Sequence, residues 1–108
     1  MKLWIDDLRS KPGYFDFHAH NYVEAINYIE NFKIDFISFD HDLGEIMTGY
    51  DIACHIESKC YLQEMKCPRF SVHSANPVGR RRIIIAMKKA GGEQFESFRK
   101  YEIWKNSE

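Results

Sequence analysis

Carboxylates, histidines and a serine stand where short apolar runs end. Phe36-Ile37-Ser38-Phe39 breaks off into Asp40-His41-Asp42-Leu43-Gly44, Leu3-Trp4-Ile5 into Asp6-Asp7, and Phe70-Ser71-Val72 into His73-Ser74-Ala75-Asn76. Carboxylates brought side by side repel, by ~1 kcal/mol at 4 Å in water and several-fold more near a protein interior. A raised pKa or a bound cation relieves that repulsion. Hard oxygen ligands suit Mg²⁺, with Mn²⁺ as the alternative, and Mg²⁺ commonly shares its site with a phosphate. Asp6, Asp7 and Asp40 are the candidate metal ligands. An aspartate in the middle of such a cluster can attack phosphorus and form an acyl phosphate, which makes Asp40 the candidate nucleophile. Asp42 is a candidate general acid or outer metal ligand.

The third run adds an anion site. Ser74 offers a hydroxyl, Asn76 an amide, and Asn76-Pro77 reads as an N-cap followed by proline at the first helical position. A helix start presents free N–H groups to an anion. Arg80 falls in the first turn and is a candidate phosphate partner. Arg80-Arg81-Arg82 fan out around a helix, so at most one or two of them reach a single ligand. His41 and His73 are candidates for proton transfer or, alternatively, for packing and hydrogen bonding behind the acids. His18 and His20 read as packing residues, His55 as a helix-surface residue, and Trp4 and Trp104 as core.

These groups need strands to carry them. The short apolar runs rich in aromatic and β-branched residues read as buried strands: Lys2–Ile5, Phe36–Phe39 and Arg69–His73. Tyr14–Phe17 reads as a further strand at an edge. Ser10, Pro12 and Gly13 mark residues 8–13 as a loop. Asn21 and Glu24 resemble a capping box ahead of a helix over Tyr22–Phe32, where Tyr22, Ala25, Ile26 and Ile29 share a face. A second helix runs from Tyr50 to about Glu64 behind Thr48, and a third from Asn76 to Ala90 with Gly91 as its stop. Gln94–Trp104 alternates weakly and reads as a last strand, with Phe95 and Phe98 on one helix face as the alternative. Alternating strands and helices imply a parallel sheet with helices on its faces. Right-handed crossovers favour the flavodoxin-like order, with the ligand at the switch point beside the first and third strands.

The bulk composition is that of one globular α/β domain spanning residues 1–108. It is 44% hydrophobic and 29% charged, with a net charge of −1, so no nucleic-acid-binding or membrane surface is expected. No apolar run approaches the ~20 residues of a membrane span. The N-terminus lacks a basic region followed by a long apolar one, so no signal peptide is expected. Cys54, Cys60 and Cys67 lack metal-knuckle spacing and read as reduced thiols, with a cytoplasmic location the expectation.

Asp6-Asp7, Asp40 and Ser74, each after a strand, resemble the receiver domain of bacterial response regulators. There an acid pair holds Mg²⁺, a central Asp accepts phosphate and a Ser or Thr contacts the phosphoryl group. More closely, Ile5-Asp6-Asp7-Leu8-Arg9, Ser38-Phe39-Asp40-His41-Asp42-Leu43-Gly44, Thr48-Gly49-Tyr50-Asp51 and His73-Ser74-Ala75-Asn76-Pro77 resemble the signature blocks of the cyclic-phosphate-processing receiver family, over roughly residues 1–90. By position, the resemblance implies metal binding by Asp6 and Asp7, a nucleophile or ligand at Asp40, and phosphate binding by Ser74. His41, Asp42, His73 and Asn76 would be the family's additions. The chain departs from ordinary receivers in two places: residues 8–13 are too short for their first helix, and it lacks the Lys-Pro pair after their fifth strand. Lys88, Lys89, Lys100 or Arg80 would have to stand in. Phe39-Asp40-His41-Asp42 also fits the Asp-x-Asp motif of haloacid-dehalogenase-type phosphatases, but there the metal-binding acids come late, whereas here the acid pair comes early.

The expectation is a small receiver-like fold with its first helix and C-terminal part reduced. It would carry a Mg²⁺- or Mn²⁺-dependent phosphoesterase site for a cyclic or terminal phosphate on a small molecule or nucleotide. The alternative is a non-catalytic module that binds a phosphorylated ligand or a partner protein.

Overall fold

The computed structural model describes residues 1–107. In chain order the elements are β1 (Lys2–Ile5), β2 (Phe17–Ala19), α1 (Tyr22–Asn31), β3 (Phe36–Phe39), α2 (Gly49–Tyr61), β4 (Arg69–Val72), α3 (Pro77–Lys89) and α4 (Phe98–Asn106). The strands form a parallel sheet in the order β2-β1-β3-β4. That is the flavodoxin-like order, with its switch point between β1 and β3.

Alternation along each strand sends side chains to opposite faces. Leu3, Ile5, Ile37, Phe39, Phe70 and Val72 face the main core, where Ala25, Ile52, Ile56, Ile83 and Met87 from α1, α2 and α3 meet them. Trp4 and Phe36 face the other way, into a second cluster built on Phe15, Phe98 and Tyr101. Ile83 is fully buried and Ile85 is 59% exposed, so the β-branched run of α3 follows helical and not strand periodicity.

The caps are readable locally. Asn21 accepts from the Glu24 N–H, but Glu24 returns its carboxylate to His20 and not to Asn21, so the expected box closes one residue early. Thr48 and Asp51 form a full capping box at α2. Asn76 caps α3 ahead of Pro77, and Gly91 takes a φ of +100° just past its end.

Two expectations are corrected. The edge strand is Phe17–Ala19 and not Tyr14–Phe17: Gly13-Tyr14 turns the chain, and the aromatic side chains of Tyr14 and Phe15 pack against Phe98. The expected last strand at Gln94–Trp104 is a single bridge of Gln94 to Phe70 followed by α4, capped by Ser97. Phe98 and Tyr101 lie on one helical face and bury against Phe36, a contact a strand could not make with the same spacing. Among the described residues, no helix is long and apolar enough to cross a membrane.

Candidate functional site

The ladder carries the three chemical groups to one edge. The N–H of Asp6 bonds Ala19 O at 3.0 Å, that of Asp40 bonds Ile5 O at 2.9 Å, and that of His73 bonds Phe39 O at 2.9 Å. Asp6, Asp40 and His73 are thus the next residues beyond the paired row Ile5, Phe39 and Val72. They lie side by side at the carboxyl ends of β1, β3 and β4, with one ligand atom from each within 4.8 Å of the others. Open-sheet proteins place ligands at this edge. A cavity of about 290 Å³ opens there, and the expected residues lining it are Asp6, Asp7, Asp40, Asp42, Ser74 and Asn76. A larger groove of about 380 Å³ lies at the opposite end of the sheet, past Ile34 and Pro68, away from these acids.

Asp6 is fully buried and Asp40 is 8% exposed. Their environments differ. Asp6 Oδ1 accepts the backbone N–H groups of Leu8 and Arg9, each at 2.8 Å, and Oδ2 accepts from Arg9 Nη1 at 3.1 Å and His73 Nε2 at 3.0 Å. Burial by itself would raise the Asp6 carboxyl, but these donors outweigh it and hold it below the ordinary range. Asp40 is raised, first by burial and then by the charge of Asp6. The His41 N–H at 2.8 Å, the Ser74 hydroxyl and Arg9 only partly offset this. Asp7 lines the cavity mouth, with Oδ2 close against Gly44, whose φ of +68° turns the chain back toward the acids.

Both histidines of the motif are occupied behind the acids. An ionised Asp6 can only accept, so His73 Nε2 carries the proton. His73 Nδ1 then accepts from the Ser38 hydroxyl at 2.7 Å, and Ser38 in turn accepts from the Ser71 hydroxyl at 3.1 Å. The His73 ring lies flat on Trp4, with centroids 3.9 Å apart and planes within 1°. Burial pushes the His73 pKa down to about 4, against the pull of the Asp6 carboxylate. His41 Nδ1 meets Asp42 Oδ1 at 2.9 Å, which lowers the Asp42 carboxyl, and Asp42 Oδ2 accepts from the Asn76 amide at 3.3 Å. His41 Nε2 is buried without a partner. Its ring fills the space a side chain at Gly79 would need, since a Cβ there would lie 2.2 Å from His41 Cγ. Neither ring lines the cavity.

The remaining candidates separate. Arg80 turns its guanidinium onto the Val72 carbonyl and does not line the cavity. Among the residues that do, Arg9 is the basic one: its Nη1 is 3.1 Å from Asp6 Oδ2 and 3.8 Å from Asp40 Oδ2. His18 bonds the Asp6 carbonyl through Nε2 at 2.7 Å and stacks on His20. His55 pairs with Glu30 across α1 and α2. No role at the site was expected of Arg9, Ser38 or Ser71, and Trp4 was expected only in the core. The serines carried a signal: each is a small polar residue inside an apolar run, two positions before a site residue, so that alternation puts the pair on one face.

A solved structure supports the fold. A response regulator from Burkholderia pseudomallei, crystallised with a phosphorylated aspartic acid, calcium ion and citrate, superposes with a TM-score of 0.58 at 25% identity. The match covers 86% of this chain and 56% of that one, so this chain spans little more than half of that protein's length. The fold is that of a receiver domain. No curated protein matches the chain. The family model described as the cyclic-phosphate processing receiver domain matches residues 1–89, and the chain belongs to that family.

Proposed function

We propose that this protein processes a phosphate ester, cyclic or terminal, on a small molecule or nucleotide, using a divalent cation held by the acids at the sheet edge. The observation that carries the reading is the pair of buried carboxylates, Asp6 and Asp40, converging from adjacent strand ends beside Asp7. The donor set fits a hard cation: converging oxygens from Asp6 and Asp40, with Asp7 lining the same cavity and Asp40 raised by burial and by its neighbour's charge, a cost that a cation removes. Mg²⁺ or Mn²⁺, when bound, would neutralise the phosphoryl oxygens.

The chain's own residues would do the following. Asp40 attacks phosphorus through a carboxylate oxygen. The P–O bond to the ester oxygen breaks, and the departing oxygen takes a proton from water. Ser74 holds a phosphoryl oxygen through its hydroxyl. Asp42, kept ionised by His41, then accepts a proton from the water that hydrolyses the acyl phosphate. His73 holds Asp6 in place, and Asn76 both caps α3 and holds Asp42. One observation favours a second reading, a phosphate-binding module without turnover: no histidine lines the cavity, so a proton donor poised near neutral pH is missing from it.

A turnover screen separates the two. The protein is incubated with Mg²⁺ or Mn²⁺ and a panel of 2′,3′-cyclic, 3′,5′-cyclic and terminal phosphates, with Asp40→Asn as control. Metal-dependent product that disappears in the variant supports the enzyme. Thermal stabilisation by a phosphate without product supports the binding module.

A further inference from the structure

We propose that Arg9 is an exchangeable cation of this site. In the free protein it bridges Asp6 and Asp40; when a divalent cation takes that place, its guanidinium turns to the phosphoryl group of the ligand. The inference rests on the phosphate-site reading above and adds the residue that recognises the anion.

The geometry points to Arg9 through the occupancy of Asp6. A carboxylate offers about four lone-pair positions. On Asp6 all are in use: Leu8 N–H and Arg9 N–H on Oδ1, and His73 Nε2 and Arg9 Nη1 on Oδ2. A metal ion therefore needs one donor to leave. Two of the four are backbone groups locked in the turn after β1. The third belongs to the buried His73 ring, pinned between Trp4 and Ser38. The fourth is the tip of a long side chain that is 53% exposed. Arg9 is the donor that can move.

Its movement is confined. The Arg9 N–H is held by Asp6, and its carbonyl accepts from Trp4 Nε1 at 3.3 Å, so the backbone stays while the side chain swings. The swing keeps the guanidinium at the cavity that Ser74 and Asn76 also line. A guanidinium binds phosphate with two parallel hydrogen bonds, which the carboxylates around it cannot do. Arg80 does not compete for the role, because its guanidinium is committed to the Val72 carbonyl.

Exchange predicts effects of opposite sign. Mn²⁺ alone is titrated into wild type, Arg9→Ala and Arg9→Lys, and free Mn²⁺ is read by electron paramagnetic resonance. Inorganic phosphate is then titrated by calorimetry with Mg²⁺ present. Arg9→Ala should bind Mn²⁺ about two- to fivefold more tightly, since it loses a competing, half-exposed ion pair. It should bind phosphate roughly tenfold or more weakly, since it loses a charge-assisted contact. Arg9→Lys should fall between. A residue that merely shaped the loop would weaken both. Mn²⁺ binding that is unchanged or weakened in Arg9→Ala, or phosphate binding that is unchanged, overturns the proposal. Mn²⁺ binding by none of the three proteins would instead remove the metal reading itself, and the exchange with it.

Discussion

Ser38→Ala tests how the site is held together. Ser38 and Ser71 are each 3% exposed, in the middle of the sheet, and their hydroxyls form the chain Ser71 to Ser38 to His73 to Asp6. Every direction in that chain follows from the ionised carboxylate at its end. Removing the Ser38 hydroxyl leaves His73 Nδ1 without a donor and the Ser71 hydroxyl without an acceptor. A buried polar group left unsatisfied costs ~1–3 kcal/mol. Two such groups, with local relaxation, make a loss of about 2–3 kcal/mol the expected outcome. In a domain of this size that is a fall in Tm of roughly 10 °C. Ser71→Ala should cost less, because Ser38 still donates to His73 and loses only a donor to a spare lone pair. Urea titration measures both, and ¹⁵N shifts of His73 in the wild type report its tautomer. The reasoning is refuted if His73 carries its proton on Nδ1, or if Ser38→Ala is as stable as wild type.

Asp40→Asn should abolish any turnover and yet stabilise the fold by ~1 kcal/mol, the repulsion of two unit charges about 4 Å apart in water; a less stable variant in urea would contradict the charge conflict assigned to Asp6 and Asp40. Acid should weaken the protein through His73. Its folded pKa of about 4 lies below the ordinary 6.5, so the unfolded chain binds the proton first, and stability that is intact above pH 6.5 falls as pH drops toward 4. The loss would reach about 3 kcal/mol, with Asp40 opposing it because its own raised pKa favours the protonated folded state. Urea midpoints at pH 7.5 and 4.5 check this, and His73→Gln should flatten the difference. Gly79→Ala should cost ~1–3 kcal/mol by overpacking, since its Cβ would meet the His41 ring at 2.2 Å; a variant that unfolds at the wild-type urea concentration would mean that His41 has room to move.

What was legible in the sequence was whatever short-range pattern encodes. The three core strands, the helices behind Asn21, Thr48 and Asn76, and the gathering of Asp6, Asp7, Asp40, Asp42, Ser74 and Asn76 at one edge follow from run lengths, caps and the parallel-sheet rule. What was hidden depended on tertiary packing. Tyr14 and Phe15 have strand-like composition, but their packing is set by Phe98, more than 80 residues away. Gln94–Trp104 carries both periods weakly, and the Phe36 surface decided between them in favour of a helix. The side-chain directions of His41, His73, Arg9 and Arg80 were illegible for the same reason. Spacing says which residues reach the edge, and only their neighbours say whether each turns into the cavity or behind it.

The position of Arg9 has a structural cause in the connection between β1 and β2. Parallel strands need a crossover, usually a helix. Here residues 6–16 make it as an irregular segment. The segment begins with a turn whose N–H groups, from Leu8 and Arg9, are both gathered by Asp6 Oδ1. At the far side of the sheet the last segment meets β4 at Arg69 and Phe70, before the site end of that strand, and then leaves into α4. None of its described residues lines the cavity, so a cation for the proposed phosphate ligand comes from elsewhere. The turn after β1 supplies one. The fully buried acid folds the turn that presents Arg9, which couples the proposed metal ligand and the proposed anion-binding residue through two backbone hydrogen bonds. Substituting Asp6 would therefore disturb both proposed functions at once, whereas substituting Arg9 leaves the turn in place and tests its side chain alone.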